Sequence, residues 1–226
     1  MSKRIIMTQS NNKKSYPNDF KKEKAYIKLC DFSDISSIFR DFHYKSNAMG
    51  GGISVCFAMF MDGVMVGGSV LGKPRHEKKY KNCIDIRRMA LLDEAPFNCE
   101  SWFLSQIIKW IASNTKYENV LSYSDMTVGH QGIIYKASNF SMIGETTPTK
   151  YVQWGERQYH PRSITIDRDY SYRMREALKN GEAEIITGLP KKIWLFEIPK
   201  KMKKKNVFFG TFAGNNNKSL FDGGLL

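Results

Sequence analysis

Two long apolar runs joined by a tight-turn pair constrain this chain more than any other feature. Residues 53–60 and 64–71 are apolar at both alternating sets of positions, and Asp62-Gly63 lies between them. Asp-Gly supplies the two positive φ angles that a two-residue hairpin turn demands. A strand that is apolar on both sides must be covered on both, so this hairpin belongs inside a sheet with layers packed above and below it. An all-helical bundle is excluded on that ground.

The flanking segments supply the covering layers. Residues 25–30 read as a short strand. Ser33 and Asp34 then open a helix whose Ile35, Ile38, Phe39 and Phe42 recur at i, i+3, i+4 and i+7, and Gly50-Gly51-Gly52 closes whatever follows. Residues 82–92 form a further strand. Asn98 caps a long helix over 99–114, with Phe103, Ile107, Trp110 and Ile111 on one side. A strand at 120–125, a helix at 129–140 with Ile133, Ile134, Ala137 and Phe140 as its stripe, and two short strands within 141–154 complete the series. The order β-α-β-β-β-α-β-α-β predicts an α/β fold with a mixed central sheet flanked by helices.

Four parts follow from composition. Residues 1–24 are a basic arm, 25–158 the folded domain, 159–205 a basic C-terminal extension packing on it, and 206–226 a Gly/Asn-rich tail. The extension holds a helix over 170–180 closed by Gly181, and seven lysines fall within 191–205.

Thirty-five Lys+Arg against 22 Asp+Glu leave a net charge of +13, a surplus that favours a polyanionic partner. Aromatic residues at 13% exclude a disordered chain. No apolar run approaches the roughly 18 residues of a membrane span, and the first residues lack the apolar core of a signal peptide. Cys30, Cys56, Cys83 and Cys99 form no C-x-x-C pair, which suits reduced thiols in a cytoplasm and not a thiolate zinc site.

Chemistry concentrates in 122–140. Asp125 falls at the carboxyl end of a strand, where ligands of open α/β sheets collect. Tyr135 shares a helix face with Gln131 and Ser138, so its hydroxyl is not forced into the core and the two residues can flank one crevice. The plainer readings are a helix cap for Asp125 and a rim aromatic for Tyr135. His43-Tyr44 ends the first helix, and histidine carries protons near neutral pH. With Asp125 and Tyr135 the pair makes an N/O donor set suited to iron, with His43, Tyr44 and Asp125 as the metal ligands.

The order of elements resembles the GNAT acetyltransferase fold. The block Tyr123, Asp125, Gly129-His130, Gly132, Ile134-Tyr135, Ala137, Asn139-Phe140 and Gly144 resembles the Mom family of bacteriophage DNA-modification proteins, and His43-Tyr44 matches a His-Tyr pair upstream in that family. The similarity runs over about 25–154 and more weakly through 160–162. It implies a GNAT-like fold and a transferase that converts adenine in DNA to its N6-carbamoylmethyl form, an anti-restriction modification made in the host cytoplasm. It makes His43, Tyr44, Asp125 and Tyr135 the candidate catalytic residues. Asp125 or His43 would take a proton from the adenine amine, and the tyrosines would position the base or ligate a metal. Residues 91–98 carry two acids and no glycine where acetyltransferases of this fold bind pyrophosphate. That argues against coenzyme A and for another acyl or glycine-derived donor.

The expected DNA contacts are Lys73, Arg75, Lys78, Lys79 and Lys81 in one loop, Arg87 and Arg88 on the following strand, and Lys200, Lys201, Lys203 and Lys204. An adenine inside a duplex must be extruded before it can react. Residues 217–221 (Asn-Lys-Ser-Leu-Phe) look like the short peptides that dock on DNA-polymerase sliding clamps. Two rival functions stay open: a GNAT-type amine N-acyltransferase acting on a small molecule or protein, and a non-catalytic protein of the same fold that binds DNA or the replisome.

Overall fold

The computed structural model describes residues 20–42, 52–159, 164 and 169–204. The hairpin lies near the centre, as its pattern requires. Strands β2 (Ile53–Met61) and β3 (Val64–Gly72) pair antiparallel, and Asp62 and Gly63 take φ of 48° and 81°. Phe57, Met59 and Leu71 enter one core cluster, while Cys56, Ala58 and Val70 enter another on the opposite side. β1 (Ala25–Cys30) flanks β2, and β4 (Cys83–Leu91) flanks β3.

Helix α1 (Phe32–Phe42) covers one side through Ile35, Ile38 and Phe39, all buried. It begins one residue before Ser33; the Asp34 carboxylate accepts from the Asp31 N–H at 3.0 Å. Helix α2 (Cys99–Asn114) covers the other side. Phe103, Leu104, Ile107, Ile108, Trp110 and Ile111 are buried there, each worth roughly 1.5–3 kcal/mol in apolar area removed from water. Asn98 precedes α2 as expected but makes no side-chain cap. It sits at φ 67°, and its carbonyl accepts from the Ser101 hydroxyl.

The main sheet has seven strands in the order β1-β2-β3-β4-β5-β10-β6, with β5 Asn119–Asp125, β6 Ser141–Glu145 and β10 Lys191–Glu197. A second sheet joins β7 (Lys150–Trp154) to β8 (Arg157–Tyr159) and β9 (Ala183–Thr187), and α4 (Asp169–Lys179) packs on it through Met174 and Ala177.

Two sequence expectations change. The lysine-rich segment after 190 is not an extension lying on the domain, because β10 is inserted between β5 and β6 inside the central sheet. Its Ile193 and Trp194 are buried, and its lysines cluster at the strand's first residues and beyond its end. The expected helix over 129–140 shrinks to α3 (Ile133–Ala137), preceded by a 3-10 turn at Met126–Val128. Gly129 and Gly132 both adopt φ 78°, which interrupts a right-handed helix. At Gly132 any Cβ would collide with the Trp194 indole, so this turn exists only because no side chain is there.

Candidate active site

Strands β4 and β5 form the parallel pair of the main sheet, and their pairing is short. Cys83 to Ile86 face Asn119 to Ser122, and the register ends there. Beyond it β4 stays with β3 while β5 stays with β10, so the two strands part and leave an opening in the middle of the sheet. A β-bulge marks the start of the opening: Leu71 opposes Ile86 and Val70 opposes Arg88, leaving Arg87 as the extra residue. Bulges re-aim side chains in this way beside active sites.

Strand parity decides which groups meet at each mouth. On the α2 side, Ser122 and Ser124 of β5 lie beside Trp194 and Phe196 of β10. The Trp194 Nε1–H donates to the Ser124 hydroxyl at 2.9 Å, and the Ser122 hydroxyl donates to the Ile86 carbonyl at 3.3 Å. The Tyr135 ring packs against Phe140 and Trp194, with centroids at 5.4 and 6.0 Å. Burial pushes the Tyr135 phenol up, the Ser122 hydroxyl beside it opposes the shift, and negative charge at Asp85 adds to it.

On the α1 side, Asp85 of β4 is 6% exposed, and its Oδ1 has no hydrogen-bond partner among the described residues. Burial raises its carboxyl to about 7 against the pull of the Arg87 and Arg75 guanidiniums. Tyr123 lies on the same side with Tyr80, Cys83, Leu121 and Ile193, and its phenol is raised by burial and by Asp85. Asp125 follows two residues along β5. Its Oδ2 meets Lys191 Nζ at 2.6 Å, and its Oδ1 accepts the Thr127 N–H at 3.2 Å. His130 donates its backbone N–H to the Asp125 carbonyl at 3.1 Å, and burial lowers its imidazole despite the nearby Asp125 charge.

Asp125 and Tyr135 therefore do not flank one crevice. They belong to opposite sides of the sheet, and the Tyr135 ring is a core contact. The helix stripe is rotated from the expected one: Ile133 is 58% exposed, and Tyr135 turns inward in its place. Asp125 does cap the following turn, and it also holds an ion pair. His43-Tyr44 and 160–162 lie outside the described residues, as do Lys205 and the 217–221 segment.

Among the expected DNA contacts, Lys73, Arg75, Lys78, Lys79 and Lys81 are exposed on the β3–β4 loop. Tyr80 of that loop reaches into the cluster beside Asp85, and Lys79 Nζ lies 5.3 Å from the Tyr80 ring centre. Arg87 is half-buried and lies along the backbone. It donates to the Lys73 carbonyl at 2.8 Å, and the absent side chains of Gly52 and Gly72 leave room for its guanidinium. Arg88 is half-buried, and its carbonyl accepts from Ser69. Lys200 and Lys201 are exposed and Lys203 half-buried on a 3-10 helix, Lys200–Lys204, next to α2.

A groove of about 720 Å³ lies on the α2 side, between the start of α2 and the end of α3, with Phe97, Asn98, Ser101, Trp102, Ser138 and Asn139 among its walls. The segment that leads into α2 does not fit a coenzyme A pyrophosphate. The β4–α2 connection carries Asp93 and Glu94 with no glycine, Glu100 stands in the first turn, and the Cys99 N–H is directed at the Pro96 carbonyl at 3.4 Å. The expected iron ligand Asp125 likewise has both carboxylate oxygens engaged. The described residues hold no group of three or more His, Cys, Asp and Glu side chains able to bind a metal.

Asp85, Ser122 and Lys191 join the site without having been expected there, and Tyr123 enters it as more than a motif residue. One signal was available for Asp85, an acid set between two apolar residues, Ile84 and Ile86, of a strand.

The family model of the Mom protein family matches residues 24–207. The chain belongs to the Mom protein family. The Mom-family region spans the whole opening and includes β10. A curated relative, "Methylcarbamoylase mom" of Escherichia phage Mu, is 36% identical over 85 residues, or 37% of this chain. That match spans 35% of the relative's own length. Two solved structures share the fold with a TM-score of 0.50 each. One is a chimera of the spermidine N-acetyltransferase SpeG of Vibrio cholerae with hSSAT, at 5% identity, covering 80% of this chain and 99% of the other. The second is a single-residue variant of the same SpeG, at 6% identity, covering 80% and 97%. At such identities the likeness shows the GNAT acetyltransferase fold alone. No helix among the described residues is long and apolar enough to cross a membrane.

Proposed function

We propose that this Mom-family chain is a phage DNA-modifying transferase that converts adenine to N6-carbamoylmethyl-adenine and so shields DNA from restriction. The observation that carries the reading is the family match over 24–207, which takes in the β4/β5 opening and both its mouths. The acceptor base enters from the α1 side, where Asp85, Tyr123 and Asp125 gather and where the exposed lysines of the β3–β4 loop stand ready for phosphates. The donor comes from the opposite side, past Tyr135 and Ser122. The adenine amine forms its new N–C bond as the transferred carbon's bond to the donor breaks and the donor fragment leaves with that electron pair. Asp125, oriented by Lys191, or His43, which follows α1 in the chain, takes the proton that the amine gives up.

Nucleoside mass spectrometry of DNA from cells expressing the protein tests this reading. An adenosine heavier by one carbamoylmethyl group is expected. Only unmodified adenine, in cells where a Mom relative modifies the same DNA, refutes it. The GNAT fold also supports an amine N-acyltransferase. The acidic β4–α2 connection opposes that alternative, and tight binding of acetyl-coenzyme A would favour it.

A further inference from the structure

Asp85 is the buried group that neither packing nor the ion pairs of the site account for. It sits on the floor of the opening, one residue before the pairing of β4 with β5 ends, on the side proposed for the acceptor. The groups facing it are Arg87 on its own strand, Arg75 from the β3–β4 loop, and Tyr123 on β5, with Tyr80 and Cys83 next to them. Two guanidiniums nearby would ordinarily keep a carboxylate ionised and bonded. Its Oδ1 is nevertheless unpartnered among the described residues. A polar atom left unsatisfied in a buried site costs stability, and a polar ligand with a matching donor removes that cost.

We propose that Asp85 is the adenine reader: its carboxyl pairs with the Watson–Crick edge of an extruded adenine, the O–H donating to N1 and the carbonyl oxygen accepting from N6–H. This rests on the reading of the protein as an adenine modifier. The pairing leaves the second N6 proton facing away from Asp85, available to the proton acceptor, and fixes the amine at the opening. Entry of the base requires the β3–β4 loop to lift Arg75 and Tyr80, and that loop carries Lys73, Lys78, Lys79 and Lys81. Phosphate binding and uncovering of the reader are thus functions of one segment. Ionised, Asp85 offers two acceptors and repels adenine N1. Neutral, it offers the donor and acceptor that adenine needs. With its carboxyl at about 7, roughly nine-tenths is neutral at pH 6 and one-tenth at pH 8.

The test is binding of a single-stranded oligonucleotide with one adenine in a thymine run, against the same strand with an abasic site there, by fluorescence anisotropy. Wild type should prefer adenine roughly 10-fold at pH 6 and lose most of that preference at pH 8. Asp85→Asn, whose amide offers a donor and an acceptor at every pH, should keep the preference at both; Asp85→Leu should show it at neither. A wild-type preference that is equal or larger at pH 8, or an Asp85→Asn protein without preference, overturns the proposal. A general-base role for Asp85 gives that opposite pattern. Thermal melts of both variants establish that they fold. Unmodified DNA in cells, with the pH-linked preference intact, would sink the modification reading and leave the reader standing. Modified DNA without that preference would do the reverse.

Discussion

Lys191→Met removes the cation that holds Asp125 Oδ2 at 2.6 Å while keeping most of the apolar stem. The Asp125 side chain is 3% exposed and that of Lys191 19%. Stranding one member of a buried pair costs about 3–5 kcal/mol. Here Oδ1 keeps its bond from the Thr127 N–H and water reaches the lysine side, so the lower end applies, about 3 kcal/mol. For a domain of this size each kcal/mol lowers Tm by about 2–4 °C, which gives a drop of roughly 6–12 °C. Circular dichroism melts and urea titrations at neutral pH read it directly. Asp125→Asn should cost less, about 1 kcal/mol, because the freed ammonium can turn to solvent. The double variant should melt above Lys191→Met, since no buried charge remains to be stranded. A Lys191→Met protein melting within about 2 °C of wild type, or a double variant no better than that single one, would refute a buried, energetically coupled pair.

Gly132→Ala combines a positive φ with a collision against the Trp194 indole and should cost about 2–4 kcal/mol in urea unfolding; a neutral effect would contradict the turn. The Asp85 carboxyl is raised from 3.8 to about 7 on folding, so between those values the folded chain holds a proton the unfolded chain lacks, and wild-type stability falls as pH rises through that window. The Tm advantage of Asp85→Asn over wild type should therefore grow from pH 5 to pH 7 and level off above; a constant gap would be inconsistent with it. Neutralising Lys78, Lys79 and Lys81 together should weaken DNA binding and lower the salt slope by about one for each phosphate left without its lysine, measured by anisotropy across salt concentrations. An unchanged slope would remove the loop from the DNA interface.

Local patterns were legible wherever a segment's neighbours in sequence settle its state. The Asp62-Gly63 hairpin, α2 and the end of β5 at Asp125 follow from turn chemistry and periodicity, and each lies where those rules place it. The motif block at 123–144 pointed to the family whose model matches residues 24–207. What sequence could not supply depends on pairing across long stretches of chain. Lys191–Glu197 is a central strand because Asp125 and its neighbours pair with it, a register that no local pattern encodes. Once β10 is in place, parity sends Trp194, on which the Tyr135 ring packs, to one side and Asp125 and Lys191 to the other, which separates Asp125 at its strand end from the Tyr135 expected across the same crevice. Gly132 holds back the start of α3 to Ile133, and the Trp194 indole occupies the space its Cβ would take. Asp85 looks like one acid between two isoleucines until β4 and β5 part beside it. Residue types thus determined what chemistry the chain carries, and tertiary pairing decided which of those groups share an opening.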